Sequence, residues 1–142
     1  MTQEQKELLL KDLCARLPYG TKIEHEGNIS ELDVIFICDS ISISSTSMDK
    51  KLSYNLDLDE IKPYLFPLSS MTEEQLFEVQ EILGKNEIKI EDGFLRIVDS
   101  DRNTISYLEI HALLNWFYKN HFDICGLIPM DLAIDATGKN IY

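Results

Sequence analysis

Three helix-start signals divide this chain and set most of what it can fold into. They are Thr2-x-x-Gln5, Thr72-x-x-Gln75 and Ser106-x-x-Glu109. In each, the first side chain accepts the backbone N–H three residues on, and the Gln or Glu side chain reaches back to the first N–H. Each is followed by apolar residues at helical spacing. Leu9 and Leu13 share a face of the first helix, with Leu10, Cys14 and Leu17 beside them, and Pro18 stops it. In the second, Leu76, Val79 and Leu83 share a face and Gly84 sits at the stop position. In the third, running to about Asn120, apolar residues nearly circle the helix, which places it centrally in a core.

Between these helices the period changes to two. The stretches 21–26, 32–39, 41–47 and 52–58 read as strands, with a turn at Gly27-Asn28 and the densest apolar run at 32–39. The run 32–39 suggests a strand buried on both faces. Two prolines four apart, Pro63 and Pro67, suggest an extended connector. The segments 87–90 and 94–98 flank Asp92-Gly93, a hairpin signal. The expected fold class is α+β. It has an N-terminal helix, a small antiparallel sheet of three to four strands, a capped helix, a short hairpin and a buried C-terminal helix. A single domain over 1–142 is expected, with a helix-plus-sheet lobe at 1–68 and a mainly helical lobe at 69–142. The tail after His121 reads as one helical turn and an extended segment.

Charge narrows the function classes. Asp and Glu number 25 against 13 Lys and Arg, a net charge of -12 over 142 residues. A surface this acidic repels phosphate backbones, so direct nucleic-acid binding is not expected. The N-terminus has no basic leader followed by an apolar run, and no stretch suits a membrane span. Cys14, Cys38 and Cys125 are odd in number and widely spaced, which reads as free, buried thiols in a cytoplasmic protein.

Residues suited to chemistry are few. Asp99, Asp101 and Asn103 resemble positions 1, 3 and 5 of an EF-hand calcium loop. Glu109 matches the twelfth position only with one residue deleted, and the glycine of the sharp turn is missing. The competing reading is a polar turn that caps the third helix. His25, His111 and His121 have no zinc-ligand spacing. Cys125 near His121 lacks an orienting third group, and no nucleophile elbow or phosphate-binding loop occurs. No catalytic residue and no cofactor is expected.

Several stretches together resemble a known family. They are Asp12-Leu13-Cys14-Ala15-Arg16-Leu17-Pro18-Tyr19-Gly20, the middle segment from Ile61 to Glu74, and His121-Phe122-Asp123-Ile124-Cys125-Gly126-Leu127-Ile128, with Leu132-Ala133-Ile134-Asp135-Ala136 closing. This pattern resembles a family of small acidic proteins of gut anaerobic bacteria and their phage-like mobile elements. That family has no established activity and supplies no catalytic residues. Its members tend to carry basic residues where Cys125 and Phe66 stand here. The resemblance implies an accessory role linked to phage or mobile elements.

The leading expectation is therefore a non-enzymatic cytoplasmic interaction protein, monomeric or homodimeric, with a protein partner. Tyr64, Phe66, Trp116, His121 and Phe122 are the candidate partner surface. One alternative is an acidic inhibitor that mimics nucleic acid toward a host enzyme. Another is a calcium-binding module at 99–109.

Overall fold

The computed structural model describes residues 1–37, 41–47, 56–84, 87–91, 94–98 and 105–142. The chain is α+β, as its pattern predicts. Helix α1 spans Gln3–Arg16, and its capping box forms: the Thr2 hydroxyl accepts the Gln5 N–H at 3.2 Å, and the Gln5 side chain accepts the Thr2 N–H at 2.8 Å. Its buried stripe is Leu9, Asp12, Leu13 and Arg16, at i, i+3, i+4 and i+7. Leu10 and Leu17 pack beside this stripe as expected, whereas the stripe itself holds an ionic pair and Cys14 is exposed rather than buried.

Strands β1 (Lys22–His25) and β2 (Asn28–Ile37) form a hairpin in which His25 pairs with Asn28. The turn is Glu26-Gly27, one residue earlier than the sequence suggests. Both residues have positive φ, 49° and 79°, as a two-residue hairpin loop requires. Strand β3 (Ile41–Ser47) pairs antiparallel with β2, with a register shift between Leu32 and Val34. That bulge turns the chain's faces, so Leu32 is buried whereas Val34 is 39% exposed. Strand β2 is therefore not covered on both faces. The expected strand at 52–58 lies mostly outside the described residues. Its end, Leu58–Glu60, is a single 3-10 turn headed by an Asp57/Glu60 capping box.

The proline-bearing segment is a strand, not a connector. Strand β4 (Lys62–Leu65) pairs antiparallel with β1 and parallel with β7 (Ile134–Asp135), which gives the sheet order β3-β2-β1-β4-β7. The front four strands are antiparallel, and the tail adds a short parallel fifth. Pro63 is tolerated in this interior strand for a geometric reason. The Leu65 carbonyl accepts the Ala136 N–H at 2.8 Å, so Leu65 points its polar groups toward β7. The two-residue alternation points the nitrogen of Pro63 the same way. There β7 pairs only with Tyr64 and Leu65, so no ladder bond needs the missing N–H.

Helix α2 (Glu73–Leu83) and helix α3 (Tyr107–Lys119) each begin at the expected capping box. The hairpin of β5 (Glu87–Glu91) and β6 (Phe94–Val98) lies between them and forms its own two-stranded sheet. Two clusters of buried side chains result. The first joins Leu9, Leu13, Ile23, Leu32 and Leu65 with Leu127, Leu132 and Ala133 of the tail. The second joins Leu68, Val79, Leu83, Leu113, Phe117 and Phe122. The tail thus returns from the helical half to finish the core of the sheet half.

Helix α3 is buried along one stripe, not on most sides. Leu113 and Phe117 are inside, whereas Tyr107 is 80% exposed and Leu108 76%. Among the described residues its buried stripe packs toward α2, the β5–β6 hairpin and the loop after α3, and α1 also touches the helix.

Candidate functional site

The site is built from the way α3 stops. The Phe122 N–H bonds to the Phe117 carbonyl at 3.0 Å, and the His121 N–H to the Tyr118 carbonyl at 3.2 Å. This is the Schellman pattern, whose left-handed residue is most often glycine. Here that residue is His121, with φ 58°. A side chain in this conformation costs of order 1 kcal/mol and persists only where its surroundings hold it. They do: His121 is 8% exposed, and its ring stacks on Tyr142 with centroids 3.8 Å apart.

Strand β4 locks onto this stop. The Phe66 N–H donates to the His121 carbonyl at 2.9 Å, and the Asp123 N–H donates to the Phe66 carbonyl at 2.8 Å. Where β1 and β4 would next pair, Lys22 opposite Tyr64, the Tyr142 hydroxyl intervenes. It accepts the Lys22 N–H at 3.1 Å and donates to the Tyr64 carbonyl at 2.6 Å. Burial pushes this phenol up to about 12, so it remains a donor across the physiological range.

A cleft of about 360 Å³ opens between the end of α3 and the start of α2. Phe66, His121, Phe122 and Tyr142 form its aromatic wall, and Ser70, Thr72, Gln75, Lys119 and Asn120 supply polar groups. Three of the five residues expected at a partner surface, Phe66, His121 and Phe122, line this cleft. Trp116 stands behind it: its ring stacks on Phe122 at 5.7 Å, and its Nε1–H donates to the Glu78 carboxylate at 2.9 Å. Tyr64 is buried beneath the Tyr142 hydroxyl.

Behind the cleft lies a buried ionic group that the sequence reading missed. The Arg16 guanidinium donates from Nε and Nη2 to both oxygens of Asp12, at 2.6 and 3.0 Å. Nη2 also donates to the Phe122 carbonyl at 2.7 Å, tying α1 to the cleft wall. Both side chains of the pair are 0% exposed. The guanidinium lies 5.0 Å from the Tyr118 ring centre, a cation–π distance. The Cys125 thiol is pushed up to about 12 by burial and then by the Asp12 carboxylate. It stays protonated and is a poor nucleophile. His121 is lowered to about 4 by burial, with Arg16 and Lys22 adding to the effect. Its imidazole is therefore neutral at pH 7.

Asp123 fixes the turn that follows. Its two carboxylate oxygens accept the Leu127 and Ile128 N–H groups, each at 2.8 Å, and the residue is 6% exposed. Asp123→Ala leaves two N–H groups without acceptors, one of them in the buried core. It is expected to lower unfolding stability by about 2 kcal/mol in a urea titration.

The calcium candidate divides. Asp99, Asp101 and Asn103 lie outside the described residues. Glu109 is the third residue of the α3 capping box, where its carboxylate accepts the Ser106 N–H at 2.7 Å. The Ser106 backbone N–H, with the hydroxyl beside it, holds this carboxyl below the usual range. Among the described residues no group of three or more His, Cys, Asp or Glu is placed to hold a metal ion. His25 and His111 are both away from the cleft. His111 stacks on the exposed Tyr107 ring.

The fold and site define an α+β protein with a buried ionic pair behind an aromatic cleft and an uncovered apolar helix face. No family model, curated protein or solved structure matches the chain. No described helix is long and apolar enough to cross a membrane.

Proposed function

We propose that the chain is a non-enzymatic interaction protein that binds a protein partner in the cytoplasm through the first half of α3. The supporting observation is the exposure of Tyr107, Leu108, Ile110 and Leu114, at 80, 76, 41 and 39%. Tyr107, Ile110 and Leu114 fall at i, i+3 and i+7, so they share a face. Contiguous apolar patches of this kind mark interaction sites far more often than they mark idle surface. A tyrosine anchor already stacked on His111 loses little side-chain freedom on binding. On the sequence resemblance alone, the role is an accessory one in the setting of phage-like mobile elements.

The same surface supports the acidic-mimic reading less well. Glu73, Glu74, Glu78 and Glu81 of α2 are exposed with no basic residue between them. Glu78, however, is engaged by Trp116.

Tyr107→Glu tests the proposal. The side chain is mostly in water, so stability should stay within about 0.5 kcal/mol of wild type. Affinity capture from source cells should retain a protein with the wild type, and the variant should lose at least about 90% of it, a tenfold affinity change. An unchanged capture profile contradicts the proposal.

A further inference from the structure

We propose that the cleft between α3 and α2 is a binding site for a small aromatic carboxylate. The site is separate from the exposed face of α3 and does not depend on the interaction reading.

Four observations meet there. First, the volume of about 360 Å³ is at the small end of the ligand-site range, roughly 300–1,000 Å³, and suits a single ring with one substituent. Second, Phe66 and Tyr142 pack on each other, ring centres 5.8 Å apart and planes tilted by 50°, and both line the cleft. A planar ring lying against this pair meets aromatic surface in the edge-on and offset arrangements aromatic pairs prefer.

Third, His121 is more than nine-tenths buried, and its Nδ1 has no hydrogen-bond partner. A buried N–H without an acceptor is more costly than a bare lone pair, so the neutral ring carries its proton on Nε2. That leaves Nε2–H as the donor of a ring whose residue lines the cleft. The stack on Tyr142 holds that ring in place.

Fourth, the lining side chains depart from the acidic character of the chain. Acidic residues outnumber basic ones 25 to 13, yet no Asp or Glu side chain lines the cleft and the Lys119 side chain does. Lys119 has no ion-pair partner among the described residues. Glu73 and Glu74, at the start of α2, are exposed and are not part of the lining. Gln75 has its amide oxygen committed to the Thr72 N–H at 2.9 Å, leaving its NH2 as a further donor. An ammonium, an imidazole N–H and an amide NH2 beside an aromatic slot select an anionic head on a flat body.

Three probes separate the contributions: benzoate, its neutral isostere benzamide, and cyclohexanecarboxylate, which keeps the charge without the ring. The full chain is titrated with each, and amide 1H–15N shifts are followed. Benzoate is expected to move the amides of Gln75, Asn120, His121 and Phe122 saturably. It should bind about tenfold tighter than either other probe. Lys119→Met, an exposed substitution that leaves the fold intact, should weaken benzoate about tenfold and leave benzamide unchanged. His121→Phe keeps the stack on Tyr142 without the donor and should weaken benzoate as well. The proposal is overturned if benzoate moves none of these amides, if the three probes bind alike, or if Lys119→Met leaves benzoate binding unchanged.

Discussion

Arg16→Met is expected to lower unfolding stability by about 3–5 kcal/mol, the largest effect of any single change considered. The variant keeps the length of the side chain but removes the cation that neutralises Asp12, which is 1% exposed. It also removes one of two donors from the Phe122 carbonyl, which keeps the Ile124 N–H at 3.1 Å, and releases α1 from the end of α3. The uncompensated charge dominates, because a buried carboxylate without a partner is far costlier than a lost packing contact. The double variant Asp12→Leu/Arg16→Met removes both charges. It should recover most of the loss and sit about 1–2 kcal/mol below wild type, the remainder reflecting the lost bond from Arg16 to the Phe122 carbonyl. Urea or thermal unfolding of the two variants and the Asp12→Leu single variant closes the cycle. Equal costs for Arg16→Met and the double variant would contradict an electrostatic origin.

The second large effect is a loss of stability in mild acid that His121 causes. Its folded-state value of about 4 lies below the ordinary value of 6.5. Above pH 6.5 both folded and unfolded chains hold it neutral, and the stability is fully present. Between 6.5 and about 4 the unfolded chain binds a proton that the folded chain refuses, so stability falls as pH falls. The gap corresponds to roughly 3 kcal/mol across that window. Arg16 and Lys22 both face the ring and oppose a second positive charge. In His121→Phe that fall should largely vanish, whereas carboxylate titration below about pH 4 remains. Parallel stability–pH curves for wild type and His121→Phe would show that the histidine is not held neutral.

The three helix starts were legible because capping is local. Thr2, Thr72 and Ser106 each find their partner three residues on, and all three boxes form. The β5–β6 hairpin was legible for the same reason. What escaped were pairings made across the chain. Pro63 reads as a strand breaker until β7, some seventy residues later, is known to stop short of it. Asp12 and Arg16 drew no reading of their own from the sequence, and their burial comes with a partner, the Phe122 carbonyl, 106 residues from Arg16. The stripe itself held a signal. Leu9 and Leu13 are completed at helical spacing by Asp12 and Arg16, so a stripe with charge inside it marks a buried pair.

At the cleft, Phe66, His121 and Phe122 were recognisable as aromatic residues flanking a helix end. Tyr142 and Lys119 were not, because a tail tyrosine carries no periodic signal and a lysine in a last helical turn is explained by the helix dipole alone. Helix α3 shows the opposite failure. Its apolar circumference predicted burial, but a helix buries only the faces its neighbours reach, and Tyr107 and Leu108 remain exposed.

Site-specific photocrosslinking in source cells probes that exposed face. A benzophenone amino acid is placed at position 107, and a control at position 137 in the exposed turn before Gly138. A discrete crosslinked species with a second, different protein is expected from position 107 and none from position 137. Position 107 yielding no crosslink, or both positions giving the same products, would contradict partner binding through this face.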